Sequence, residues 1–198
     1  MDPSRRELWC GLGFGLGALV AWWWRGAAGG GLPTAAAGPL RPPGAGGERQ
    51  FLAACIRCGL CVQACPYDTL RSDGPAAAGP RAHGAPSVDA RANPCWRCKD
   101  QPELLCIAAC PTGALQPMPV ADLRIGLAAI DRTTCLAFNG VTCRACWHAC
   151  PFPDRALRYD DRLRPLVDAE ACIGCGLCEH ACLVEPAAIV VRPHAEGA

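Results

Sequence analysis

Sixteen of the seventeen cysteines stand in four groups of four. The groups are Cys55, Cys58, Cys61, Cys65; Cys95, Cys98, Cys106, Cys110; Cys135, Cys143, Cys146, Cys150; and Cys172, Cys175, Cys178, Cys182. Groups one and four have the spacing C-x2-C-x2-C-x3-C. Groups two and three stretch one internal gap to seven residues. Proline follows the last cysteine of the first three groups, and Leu183 follows that of the fourth. A chain with this pattern must gather sulfur four times over.

A [4Fe–4S] cluster takes four thiolates, and the run C-x2-C-x2-C-x3-C-P serves two clusters by giving three ligands to one and its fourth to the other. Zinc sites also use Cys-x2-Cys pairs, but not this even triple spacing in quadruplicate. Exported domains are often dense in disulfides; four near-copies of one ligand pattern argue for a repeated cofactor instead. The expectation is sixteen thiolate ligands for the iron of four [4Fe–4S] clusters, with no catalytic residues.

The 198 residues suffice for one or two small domains. With 22 glycines and 19 prolines, short elements and many turns are expected. Large apolar side chains are sparse beyond residue 40, so the core is marginal by itself. Clusters replace much of it, because metal–ligand free energy becomes folding free energy. The net charge of +1, without a long basic run, gives nucleic acid no footprint.

Residues 1–37 read as an address. Arg5-Arg6 resembles a twin-arginine export signal, an apolar stretch follows from Leu8 to Trp24, and Ala35-Ala36-Ala37 suits cleavage. That route carries folded cargo, as clusters inserted in the cytoplasm require. The alternative is an uncleaved anchor at residues 8–24, the short limit for a spanning helix, ending at Trp22-Trp23-Trp24-Arg25 like an interfacial belt. Cys10 is a passenger in this segment. Residues 38–47 are rich in proline and glycine and read as an extended tether, leaving 48–198 as the folded body.

The body repeats with a period of roughly 40 residues. Apolar-Asp pairs (Val88-Asp89, Ile130-Asp131, Val167-Asp168) precede groups two to four, and short apolar runs follow each group (Leu70, Leu115, Leu157, Ile189–Val191). Each x3 gap forms one helical turn, which proline then ends. The fold class expected is α+β: two bacterial ferredoxin-like units, each made from two frames. Shared spacing favours nesting, with groups one and four outside and an inner unit of groups two and three at about 87–160. Nesting assigns Cys55, Cys58, Cys61 and Cys182 to one cluster, and Cys172, Cys175, Cys178 and Cys65 to another. It assigns Cys95, Cys98, Cys106 and Cys150 to a third, and Cys135, Cys143, Cys146 and Cys110 to a fourth. Tandem pairing is the alternative, and Cys65 lying beside Cys95 would select it.

Arg41-Pro42-Pro43-Gly44-Ala45, the run Ala54 to Leu70, Asn139-Gly140 in group three and the closing Glu185-Pro186-Ala187-Ala188-Ile189 resemble the ferredoxin-type subunit of the periplasmic nitrate reductase system and its methylamine-utilisation counterpart, the NapG/MauM type. The resemblance covers nearly the whole chain and leaves the branch open. It implies a periplasmic electron-transfer subunit, peripheral to the membrane. Its donor would be a polytopic membrane ferredoxin-type protein that oxidises quinol, and its acceptor a cytochrome c or terminal reductase. The alternative is an accessory role in maturing a periplasmic redox enzyme.

No nucleophile, acid–base pair or substrate pocket is legible, so the chemistry is the cofactor's. Arg57, Arg97 and Arg144 lie between ligand cysteines, where positive charge raises a cluster's potential; solvated surface residues are the plainer reading. His148 and His180 lie in x3 gaps but no ligand is missing. Trp96 and Trp147 are expected to shield clusters from water.

Overall fold

The computed structural model describes residues 38–99 and 101–194. The address segment 1–37, with Cys10 and the candidate anchor, lies outside the described residues. Among the described residues no helix is long and apolar enough to cross a membrane.

The elements are short, as the composition requires. In order they are α1 (Glu48–Ala54), α2 (Leu60–Ala64), β1 (Leu70–Ser72), a kinked α3 (Pro75–Ala82), β2 (Pro86–Val88), α4 (Leu105–Ala108), β3 (Leu127–Ile130), α5 (Ala145–Ala149), β4 (Leu157–Tyr159), β5 (Pro165–Val167), α6 (Leu177–His180) and β6 (Ile189–Arg192). Three antiparallel ribbons pair β1 with β2, β3 with β6 and β4 with β5.

The repeat has a local cause. β2, β3 and β5 each end on the apolar residue of an apolar-Asp pair, and the aspartate turns the chain. Asp131 Oδ1 accepts the Thr133 amide at 2.8 Å, and Asp168 Oδ1 accepts those of Glu170 and Ala171 at 3.1 Å. Asp89 Oδ1 accepts those of Arg91 and Ala92 at 3.1 Å. A short side-chain acceptor bonding two residues ahead is how aspartate makes such turns. The Asp131 and Asp168 carbonyls then accept the amides of Cys135 and Cys172, each at 3.0 Å. Group one lacks this aspartate; helix α1 replaces it, with the Cys55 amide bonded to Phe51 O at 2.9 Å.

Each x3 gap is one helical turn, as expected. It closes when the amide of the fourth cysteine meets the carbonyl three residues back: Cys65 to Val62, Cys110 to Ile107, Cys150 to Trp147 and Cys182 to Glu179, at 3.0–3.3 Å. The fourth turn closes like the others although Leu183 replaces proline. Proline is therefore not required to close this turn.

Two expectations are corrected. Residues 38–47 are not a free tether. Leu40 and Ala45 form β-bridges to Val88 and Leu115, so this segment supplies the edge that β3 supplies to β6 later in the chain. Arg41 is buried, with its guanidinium on Glu48 (2.6 Å), Asp73 (3.0 Å) and the Pro86 carbonyl (2.9 Å). The folded body therefore begins near Leu40, not Glu48. Nor is there an inserted inner unit at 87–160. β1–β2 folds group two back on group one, and β4–β5 folds group four back on group three. Closing these short hairpins costs less chain entropy than joining groups one and four across the whole body.

The core runs through both halves. Phe51, Leu70, Ala85, Leu104 and Leu115 fill the first, and Leu123, Leu157, Ile173, Leu177 and Ile189 the second. Cysteines from every group belong to or pack on this cluster, so the sulfurs occupy space that larger side chains fill elsewhere.

Candidate functional site

The sixteen cysteines are all free thiols. They line four small apolar cavities. Cys55, Cys58, Cys61 and Cys110 line the first. Cys65, Cys95, Cys98 and Cys106 line the second. Cys135, Cys143, Cys146 and Cys182 line the third. Cys150, Cys172, Cys175 and Cys178 line the fourth. In each half, three cysteines of one group meet the fourth cysteine of its neighbour.

This overturns nested pairing. Cys110, not Cys182, completes the first quartet, and Cys65 joins Cys95, not Cys172. Cys150 joins Cys172, and Cys182 joins Cys135. The mirrored seven-residue gaps, which suggested that groups two and three pair, have local roles. In the group-three gap the Asn139 side chain donates to the carbonyls of Thr133 and Cys135 at 3.0 and 2.9 Å. In the group-two gap the Lys99 carbonyl accepts from Tyr67 Oη at 3.0 Å.

The sulfurs ring a void instead of converging on a point. Among the described residues, no three Cys, His, Asp or Glu side chains stand close enough to hold a single metal ion. Tetrahedral zinc would draw four sulfurs to about 2.3 Å from one centre. A ring of thiols around an apolar cavity fits a polynuclear iron–sulfide core, whose iron spreads the sulfurs apart.

Electrostatics agree with that fit. Burial pushes the Cys95 and Cys106 thiols up to about 12, and the charge of neighbouring thiolates adds to it. Burial likewise pushes Cys61, Cys146 and Cys175 up to about 11. Cys178 is raised well above the ordinary thiol value, again chiefly by burial. Thiolates this dry and crowded need compensating positive charge, which iron supplies. Cys110 goes the other way. Burial raises it, but donors on Thr112, Ala114 and Leu115 outweigh that and lower its pKa. Backbone amides also reach sulfur at Cys98 (from Leu105, 3.4 Å) and Cys182 (from Ala188, 3.3 Å). Such bonds belong to the set that tunes cluster potential.

The cavities follow one another in space. Helices α2 and α4 pack together and bring Cys61 of the first cavity near Cys106 of the second. Helices α5 and α6 do the same for Cys146 of the third and Cys178 of the fourth. The halves meet where the Cys95 amide donates to the Cys175 carbonyl at 2.8 Å. The order is therefore first, second, fourth, third.

The other residues singled out from sequence fall as follows. The Arg57 guanidinium donates to the Arg81 carbonyl at 2.8 Å at an exposed edge. Arg144 lies over the Tyr159 ring, 5.6 Å from its centroid. Arg97 lies at the junction of the halves, over Phe152. His148 packs edge-on against Trp147, and His180 Nδ1 contacts the Arg91 carbonyl at 2.8 Å; neither lines a cavity with its ring. Trp96 lines the second cavity while staying 41% exposed. Trp147 is held by its Nε1 on Asp154 at 3.1 Å.

One important residue escaped sequence reasoning. Arg91 Nη1 donates to the carbonyls of Glu179, His180 and Cys182 at 2.7–3.2 Å, and its Nη2 to Glu185, tying the halves together. Its partners are mostly backbone carbonyls some ninety residues away, which leave no mark in local sequence. The only signal was that Thr133 and Glu170 stand at the same place in the later frames.

Comparison with known proteins agrees with this arrangement. Two family models, each described as a 4Fe-4S dicluster domain, match residues 54–114 and 127–183, one in each half. The methylamine utilization ferredoxin-type protein MauM of Methylobacillus flagellatus is 39% identical over 98% of this chain and 86% of its own length. MauM of Paracoccus denitrificans is 40% identical over 95% and 82%. The ferredoxin-type protein NapG of Escherichia coli K12 is 44% identical over 78% of this chain and 70% of its own. The chain belongs to the NapG/MauM family of ferredoxin-type iron–sulfur electron-transfer proteins.

Proposed function

We propose that the sixteen cysteines hold four [4Fe–4S] clusters and that the chain relays electrons outside the cytoplasm. The donor is a membrane partner that oxidises quinol, and the acceptor is a periplasmic cytochrome c or terminal reductase. The observation that carries this reading is the single file of thiol quartets, first–second–fourth–third. A file with its two ends in different halves suits entry at one end and exit at the other. The ends carry exposed apolar residues of the kind that seat a partner: Ile56 (65% exposed) and Leu60 at the first cavity, Leu183 (73% exposed) at the third.

When bound, the iron supplies one-electron redox chemistry. The chain's own residues hold it, exclude water and set the surrounding charge. Quinol oxidation releases two electrons and two protons at the partner, and only the electrons enter this chain, one at a time. The cavity linings contain no histidine, carboxylate or lysine, which suits a path that carries no protons.

Export by the twin-arginine route, with removal of residues 1–37, belongs to the same reading; the anchor at 8–24 is its competitor. The mass of the mature protein decides between them. A second reading, implied by the family resemblance, is an accessory role in maturing a periplasmic redox enzyme.

Two measurements test the relay. Iron and sulfide content with a low-temperature EPR titration is expected to return four clusters. A quinol analogue is expected to reduce the purified protein in the presence of membranes carrying the partner, and not without them. Failure to reduce with intact clusters would favour the accessory reading.

A further inference from the structure

The halves meet at the Cys95–Cys175 bond and the Arg91 clamp, and Arg97 occupies the same junction. It lines the second cavity beside Cys95 and Cys98. Its guanidinium carbon lies 5.4 Å from the centroid of Phe152, whose side chain lines the fourth cavity. Its charge acts on Cys150 and Cys175 of that cavity. Arg97 makes no ion pair with any described residue, and its Nε is buried without a hydrogen-bond partner.

Its backbone is also unusual. Arg97 has φ +59°, in the left-handed region where a side chain costs about 1 kcal/mol or more. Group four places Gly174 at the matching point, with φ +70°. Arginine is thus kept where glycine is the easier residue. Backbone strain that persists often marks a functional position.

Arg57 and Arg144 differ. Arg57 shares the left-handed backbone but is spent on a carbonyl at an exposed edge. Arg144 lies over Tyr159 in the second half, away from the junction. Of these three arginines, Arg97 is the one that stands between quartets of different halves.

We infer that Arg97 is the electrostatic control of the crossing between the halves: its unneutralised cation faces the second and fourth thiolate quartets together and favours reduction of the iron held in both. This deepens the relay reading and rests on it. An iron–sulfide core held by four thiolates is anionic and becomes more so on reduction, so a nearby cation stabilises the reduced form. Arg97 is half-buried, so that attraction is screened less than it would be on the open surface. Exchange across the junction moves one electron, oxidising one inner site as it reduces the other, and no proton.

The test is an EPR-monitored redox titration of the full chain, loaded with iron and sulfide, as wild type, Arg97→Gln, Arg97→Lys and Arg57→Gln. Iron content and visible absorption check the loading. Two of the four wild-type midpoints are expected to fall in Arg97→Gln and to return towards wild type in Arg97→Lys. Arg57→Gln is expected to leave those two in place. Unchanged midpoints in fully loaded Arg97→Gln would overturn the inference, as would an equal fall in Arg97→Lys. If Arg97→Gln loses iron, Arg97→Lys decides: full loading with wild-type midpoints supports charge control, and iron loss there too assigns Arg97 a structural role and overturns it. A wild-type chain without four reducible clusters would instead overturn the relay reading.

Discussion

The amide of Cys95 donates to the carbonyl of Cys175 across 2.8 Å, joining a cluster loop of one half directly to a cluster loop of the other. Around this bond the backbones come as close as they can. Across the junction a Cβ on Gly176 would lie 2.6 Å from Ala90 Cβ, and beside it, within the second half, one on Gly174 would lie 2.1 Å from the Gly126 carbonyl oxygen. The junction between the halves is thus built from main chain and small residues, which brings the two inner quartets together.

Gly174→Ala tests that packing. The new methyl group meets backbone, which cannot swing aside, at a residue whose φ is +70°. The combined strain is expected to cost on the order of 2–4 kcal/mol. Thermal unfolding of the loaded protein measures it; a melting temperature equal to wild type would mean that the Cys172–Cys175 loop does not pack on Gly126 as described.

Tandem pairing makes a prediction about double variants. Cys61→Ser and Cys110→Ser remove ligands from the same quartet, so iron loss should be about one quarter in each single variant and no greater in the double. Cys110→Ser with Cys143→Ser should lose about half, because these residues serve different cavities. Nesting predicts the reverse, additive for the first pair and non-additive for the second.

Arg41 is expected to anchor the N-terminal edge. Its side chain is 8% exposed and faces Asp73, itself 5% exposed. Asp73 Oδ1 also accepts from Ser87 Oγ. Arg41→Ala leaves a buried carboxylate without its cation, a loss of about 3–5 kcal/mol. Arg71→Ala, which breaks a more exposed pair with Asp89, is expected to cost under about 1 kcal/mol. Denaturant titration of both variants checks the contrast; similar losses would refute it.

Arg91→Ala removes the clamp on Glu179, His180 and Cys182 without touching a thiol. Amide exchange in 177–182 should accelerate while iron content holds. Unaltered exchange would show that the clamp adds nothing to the junction.

Removing iron with a chelator under reducing conditions should unfold the chain. Repulsion and desolvation then fall on the buried thiols, and the remaining apolar core is small. Loss of secondary structure should parallel loss of the visible absorption. A cooperative melt in the stripped protein would show that the fold stands without its cofactor.

The sequence alone determined what is local. The x3 gaps became single helical turns, the apolar-Asp pairs became strand ends with aspartate-capped turns, and each group placed three sulfurs on one loop. These follow from bonds between residues two to four apart, which spacing encodes directly. Cys65 with Cys95, Cys110 with Cys61, the burial of Arg41 and the reach of Arg91 were decided only by the tertiary structure. Spacing says that a fourth sulfur must come from another group but not which one, and the mirrored gaps pointed to the wrong partner. Hairpin closure and the packing of α2 on α4 and α5 on α6 made that choice, because cavities of this kind close only when two neighbouring turns share one core.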